Sequence, residues 1–379
     1  MDKGSIERGL LPAGLSDVLY PNAHLQSKTI ENLINVFSKY GYYRVKPPLV
    51  EYEDTLISNG LGKVLKDSTF RIMDPLSQKM MALRSDVTAQ ISRIASTRLS
   101  HLPRPLRLSY SGDVLRVKGD SFNMERQKTQ VGAELIGSQS KFVDAEIVLV
   151  CLKALKSVGV DSITVDLNFP FLRKYLLKNI SNPLKKEVDE AIDIKDIQHI
   201  KSLKFDSKDV LLQLMEISGD YLNIIKSLQK IKLDKILSDI RDYFLEVLEL
   251  IQANTDTFKL SVDILENRGF KYHTGLTFTV FSENFRGEIA KGGRYKTVTD
   301  ETATGFTIYT EKLNLKSKSE ENEKLVFIPY LNMDDAQTII QKGYKVVFGT
   351  NSDINFEKEA SEMKCEYIWK NNQIVKLRS

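Results

Sequence analysis

The stretch LRLSYSGDVLRVKGDSFNMERQKTQVGAELIG, residues 106–137, carries an Arg, an amide and a carboxylate at spacings that chemistry can use. Two alternating runs, Leu106–Val117 and Gln127–Ile136, flank a polar loop with Gly119, Asp120 and Asn123. Alternation around such a loop predicts an antiparallel hairpin. Gln130 and Glu134 then share one face, because side chains alternate along a strand, and Arg116 is also an even-numbered position. Arg116, Gln130 and Glu134 converging on one sheet face suit a small zwitterion. An ordinary solvated sheet face with surface pairs is the competing reading of the same residues.

Other segments must hold that hairpin in place. Apolar residues at helical spacing (Leu25, Ile30, Leu33, Ile34, Phe37) predict a helix from Asn22 to Tyr40, stopped by Gly41. Pro47 and Pro48 predict an extended segment after it. A second hairpin, Phe70–Met73 with Lys79–Leu83, turns at Pro75. In LRSDVTAQISRIASTRL, Asp86 or Ser85 can cap a helix whose buried side holds Ile91, Ile94 and Leu99. A helix over Val143–Lys156 and a buried strand over Ile163–Leu167 follow. Between about 171 and 251 the texture turns helical, with no catalytic grouping. Strands at Lys259–Ile264, Leu276–Phe281 and Phe306–Tyr309 return the chain to the sheet, and Gly292-Gly293 permits close backbone approach. A polar linker at 316–324 precedes a small α/β unit: strand 325–329, helix 334–342, strand 344–348, helix 356–363, strand 366–369.

The chain has 379 residues, 42% hydrophobic and 27% charged, ample for two or three ordinary globular domains. Its net charge of +4 is thin and no run of basic residues concentrates it, so nucleic-acid binding is disfavoured. Cys151 and Cys365 stand alone and the four histidines are scattered, which suggests no metal and no cofactor. The isolated cysteines fit a reducing, cytoplasmic setting. No apolar stretch is long enough to span a membrane, and the N-terminus is no signal peptide.

V-L-R-V at 114–117 followed by Q-V-G-A-E at 130–134 resembles the motif 2 hairpin of class II synthetases in its histidyl-tRNA synthetase form. RGFKYHTGLTF (268–278) resembles that family's histidine-specific loop, and GGRY (292–295) with GFTIYTEKL (305–313) its motif 3. The helix and proline strand over 22–52 are similar to motif 1, the dimer-forming element there. Three positions depart: Arg116-Val117-Lys118 replaces Arg-x-Glu, Lys312 replaces the motif 3 Arg, and Lys271 replaces an Asp. With LLPAGLSDVLYP (10–21) and RSDVTAQISRI (84–94), this pattern is similar to the synthetase-like regulatory subunits of ATP phosphoribosyltransferase, over roughly Leu11 to Leu313.

The resemblance implies an α+β fold. It consists of a class II core with an antiparallel sheet flanked by helices (1–170 and 252–315), a helical insertion (171–251) and a small C-terminal α/β domain (325–379). It also implies a non-catalytic chain in histidine biosynthesis that forms a homodimer within a hetero-oligomer. Its partner would be the short-form catalytic subunit of ATP phosphoribosyltransferase, and L-histidine its ligand. In the implied site Arg268 and Gln130 meet the ligand carboxylate; Arg116, the nucleotide clamp that remains, is a further histidine-binding candidate. Asp86 and Thr88 meet the ammonium, and Glu134 with Tyr272 the ring; His273 stands where the synthetases have a second Tyr. Asp86 is equally a helix cap, and the regulatory histidine can instead sit at the contact with the catalytic subunit. Alternatives are a divergent histidyl-tRNA synthetase, which Lys118 and Lys312 argue against, and an RNA-binding relative.

Overall fold

The computed structural model describes residues 9–57, 60–119, 124–254, 258–266, 272–313, 324–350 and 355–377. Asp120, Asn123, Arg268, Lys271 and most of the 316–324 linker lie outside these residues, and so does the side chain of Lys312. The chain divides into two compact units, 1–315 and 316–379.

The first unit is built on one sheet whose strands are β1 (Tyr43–Arg44), β2 (Leu106–Leu115), β3 (Gln127–Ile136), β4 (Ile163–Asn168), β5 (Ser218–Asp220), β6 (Lys259–Asp263), β7 (Thr277–Ser282), β8 (Ala290–Lys296) and β9 (Thr302–Tyr309). Their spatial order is β1-β2-β3-β9-β8-β7-β4-β6-β5. The run from β2 to β4 is antiparallel throughout; β1 lies parallel to β2, and β6 parallel to β4. The hairpin read from alternation is β2–β3, with Leu106 opposite Ile136 and Leu115 opposite Gln127. Arg116 falls just past the end of β2 and bridges to Thr69.

Registers place two kinds of residue on opposite faces, since directly paired residues of antiparallel strands point the same way. Val131, Ala133 and Leu135 of β3 face a large apolar core with Phe306, Ile308, Phe278 and Val280. Helices α1 (Asn22–Lys39), α3 (Lys141–Ser157) and α4 (Lys235–Ala253) contribute to that core. Ser140 caps α3 by accepting from the Phe142 N–H, and Asp234 caps α4 through Leu237. Leu33, Ile34 and Phe37 of α1 are buried here, and Phe37 meets the Phe306 ring edge-on at 5.4 Å. The opposite face carries Gln130, Gly132 and Glu134, under helix α2 (Thr88–Ser96). That face is the polar one.

A small sheet beside it joins Val50–Tyr52, Met80–Leu83 and Arg71–Met73, the second hairpin expected from sequence. The block from 170 to 253 is helical, over Pro170–Leu176, Asn182–Asp193, Ile197–Ser202, Lys208–Met215, Tyr221–Lys230 and α4. One short strand, β5, interrupts it and adds to the main sheet's edge.

In the second unit, strand Leu325–Ile328 pairs in parallel with Lys345–Phe348 and Tyr367–Lys370. Helices Met333–Gln341 and Phe356–Glu362 belong to separate apolar clusters, with Val326 and Ile328 in one and Phe327 in the other. A fourth strand, Gln373–Lys376, was missed in the sequence. Its turn is Asn371-Asn372, both at positive φ (50° and 58°), as a two-residue hairpin requires.

Candidate functional site

The site is built on the polar face, where β3, β9 and β8 run side by side. Glu134 is opposite Gly305, Gly305 opposite Gly293, and Gly293 opposite Thr277. A Cβ at Gly305 would lie 1.6 Å from Glu134 Oε2, so the carboxyl rests directly on bare backbone. One row along, Gly132 has Tyr110 on one side and Thr307 on the other, and a Cβ there would meet the Tyr110 hydroxyl at 2.5 Å. Glycine at 132 and 305 is therefore a requirement of close approach.

Asp86, Thr88, Gln130 and Glu134 are all buried and lie together. Gln130 Oε1 accepts the Val87 N–H at 2.9 Å, and its Nε2 donates to Asp86 Oδ2 at 3.0 Å. Asp86 Oδ1 accepts the Thr88 N–H at 2.9 Å. Asp86 thus serves the first turn of α2 and the sheet at once. Arg116 donates from Nε to the Ser85 carbonyl at 3.2 Å, and its guanidinium is 3.9 Å from Asp86. Gln130 is committed to Asp86 and Val87, which leaves at most one amide hydrogen for a ligand.

Glu134 Oε2 accepts from the Tyr295 hydroxyl at 3.0 Å. Burial pushes its carboxyl up to about 8; hydrogen bonds from Tyr295, Thr88 and Tyr110 oppose the rise and Asp86 reinforces it. At neutral pH the group is largely an uncharged acid. The Tyr110 hydroxyl is 3.3 Å from Thr88 Oγ1 and 2.8 Å from Thr307 Oγ1. Tyr272 stacks edge-on to Tyr295 with centroids 6.1 Å apart, and 4.7 Å from the ring of His273. Thr88, Glu134, Tyr272, His273, Lys291 and Tyr295 line a cavity of only about 10 Å³, room for one water at most. A ligand the size of histidine does not fit there unless the walls move apart.

The side of the site next to Arg116 is filled. Tyr309, opposite Gln130 in the register, is 2% exposed. The ammonium groups of Lys128 and Lys291 each lie 5.7 Å from its ring centroid, in cation–π range. Lys291 also pairs with Glu288 at 2.9 Å. Burial pushes the Tyr309 phenol up, while Lys291 and Arg116 pull it down. Nearby, burial raises Glu311 to about 7. Lys118, the charge reversal read from sequence, is exposed.

Of the eight residues singled out in the sequence, seven converge on this face and Arg268 lies outside the described residues. Tyr110, Tyr295, Tyr309, Lys128 and Lys291 were missed. Alternation puts Tyr110 on the inner face of β2, and that was their one local signal. Among the described residues no group of His, Cys, Asp and Glu is arranged to hold a metal, and no helix is long and apolar enough to cross a membrane.

A profile of the histidyl-tRNA synthetase family matches residues 14–313. A protein of Rhodospirillum centenum named ATP phosphoribosyltransferase regulatory subunit is 37% identical, covering 100% of this chain and 98% of its own length. Its namesake from Paramagnetospirillum magneticum is 38% identical over 96% of each. Among solved structures, an ATP phosphoribosyltransferase regulatory subunit/histidyl-tRNA synthetase from Bacillus halodurans superposes with a TM-score of 0.80 at 20% identity, covering 93% of this chain and 96% of that one. A Nostoc histidyl-tRNA synthetase gives 0.76 at 16%, covering 95% and 90%. The chain therefore has a synthetase-like α+β fold and belongs to the family of ATP phosphoribosyltransferase regulatory subunits.

Proposed function

We propose that this chain is a non-catalytic subunit that assembles in the cytoplasm with the short-form catalytic chain of ATP phosphoribosyltransferase and makes it responsive to histidine. The partner would carry the glycosyl transfer, joining ATP to phosphoribosyl pyrophosphate. The observation that carries this reading is an asymmetry within one site. The groups suited to an amino acid (Asp86, Thr88, Gln130, Glu134, Tyr272) remain clustered, while Tyr309 between Lys128 and Lys291 fills the ground beside Arg116. A divergent synthetase would need that ground for ATP. Histidine acts on the partner only if it binds two states of the complex unequally, and a closed pocket that must open for its ligand provides two such states.

The test is calorimetric titration of histidine into wild type and Glu134→Ala, with co-purification of the catalytic chain in parallel. Losing the acceptor for the ring N–H costs about 1–3 kcal/mol, roughly a tenfold to hundredfold weaker affinity. Assembly should persist, because Glu134 is 1% exposed and touches no outer surface. Unchanged affinity with normal assembly would move the histidine site out of this pocket, to the subunit contact.

The chain is also proposed to form a symmetric dimer through the 22–52 region. Of Ile30, Ile34 and Phe37, the apolar residues of α1 expected to make that surface, Ile34 and Phe37 are instead buried in the chain's own core and Ile30 is partly buried against it. The exposed apolar groups of the region are Tyr40, Tyr43, Leu49 and Tyr52, with Ile72, Met73 and Leu76 on the adjoining small sheet. Leu76 is 94% exposed. Exposed apolar groups of this kind suit isologous burial. Sedimentation at micromolar concentration should give a dimer without the partner; a strict monomer would count against it.

A further inference from the structure

We propose that this pocket takes histidine with its ring in the imidazolium form, and that Glu134 supplies the proton. The inference deepens the histidine-sensing reading and rests on it. As the ring enters, the O–H bond of the Glu134 carboxyl breaks and an N–H bond forms on the unprotonated ring nitrogen. The proton never leaves the site, and a buried neutral acid becomes half of a carboxylate–imidazolium pair.

The geometry that points there is the company Glu134 keeps. Among the described residues it has no ion-pair partner. Facing it are Asp86 and Thr88 at the start of α2, Tyr110 on β2, Tyr295 on β8, and Tyr272 ahead of β7. His273 and Lys291 share the cavity wall, and the Lys291 ammonium is engaged by Glu288 at 2.9 Å. Glu134 is the carboxyl that lines the cavity; Asp86 is a second buried carboxyl nearby, engaged by the Gln130 amide and the Thr88 N–H with the Arg116 guanidinium 3.9 Å away. Histidine offers two sites that can carry positive charge. With the ammonium at Asp86, the ring is left for Glu134.

The closed pocket keeps Glu134 protonated at neutral pH, its carboxyl at about 8, so the proton is present when the ligand arrives. An imidazole near 6.5 is the weaker base by roughly thirtyfold. The attraction of the pair at contact distance has to offset that gap and the desolvation of the ring.

The experiment is nitrogen NMR of ring-labelled histidine bound to the intact chain at pH 7.5, with affinities for histidine and for 1,2,4-triazol-3-ylalanine measured alongside. The triazole keeps the shape and the N–H donor but is a far weaker base. Expected are two protonated ring nitrogens in the complex, and a triazole affinity about tenfold to hundredfold below that of histidine. In Glu134→Gln the bound ring should be neutral and the gap between the ligands should close. A neutral ring in the wild-type complex, or equal affinity for both ligands, would overturn the proposal while leaving histidine sensing intact. Failure of wild type to bind histidine at all would overturn the sensing reading and this inference together.

Discussion

Histidine-dependent ATP–pyrophosphate exchange by the purified chain should not rise above the rate without protein, while a histidyl-tRNA synthetase assayed beside it turns over freely. Adenylation depends on cations preorganised around the phosphates and on accurate placement of the base; one lost electrostatic contact of that type costs about 10²–10³ in rate. This chain has several such losses at once. Lys118 puts an exposed cation where the synthetases have a carboxylate, and Lys312 lacks the planar fork of arginine. Tyr309 is packed between Lys128 and Lys291 beside the one remaining motif 2 arginine. Restoring one charge would not clear that ring. Robust exchange that requires histidine would favour the divergent synthetase.

Replacing Arg294 with Met should cost about 3–5 kcal/mol of stability, the usual penalty for stranding a buried charge. Asp144 on α3 is fully buried and pairs with Arg294 of β8 at 2.9 Å. Thr304 of β9 and Tyr243 of α4 each donate to it at 3.0 Å. Burial raises the Asp144 carboxyl and Arg294 is the largest opposing influence, so removing the guanidinium leaves a carboxylate with only neutral donors. The knot ties the last helix of the helical block to the strand that carries Gly293 and Tyr295, on the face away from the site. Urea unfolding at neutral pH checks the value. Asp144→Leu in the same chain should return part of the loss, since a buried pair replaced by apolar groups is often near neutral. A cost below about 1 kcal/mol for Arg294→Met would mean that Asp144 is solvated or protonated and the knot is weak.

Local pattern revealed the pieces of this fold better than their pairing. The β2–β3 hairpin was legible because alternation and a polar loop are contiguous. The rows across the site were not, because Glu134 meets Gly305 from 171 positions away in sequence and no local signal records register. The helical spacing of Ile34 and Phe37 correctly marked a buried face, yet spacing does not say whether a helix buries against its own sheet or a second copy. Asp86 was ambiguous for a sound reason: one carboxylate holds both the Thr88 N–H and the Gln130 amide. Tyr309 reads as an ordinary strand aromatic until the lysines from β3 and β8 are seen on its ring. Strand β8 was missed, its glycines being read only as a close backbone approach, since AKGGRYK has little strand composition. The last strand was missed although its Asn-Asn turn was there to be read.

The most direct test of the regulatory role is phosphoribosyl transfer by the catalytic chain, measured alone, with this chain, and with histidine added. Turnover should rise at least about tenfold on adding this chain, in the range typical of coupling between sites. It should then change with histidine when the wild-type chain is present and respond far less with Glu134→Ala. A catalytic chain that is fully active alone, and indifferent to this chain with or without histidine, would contradict it.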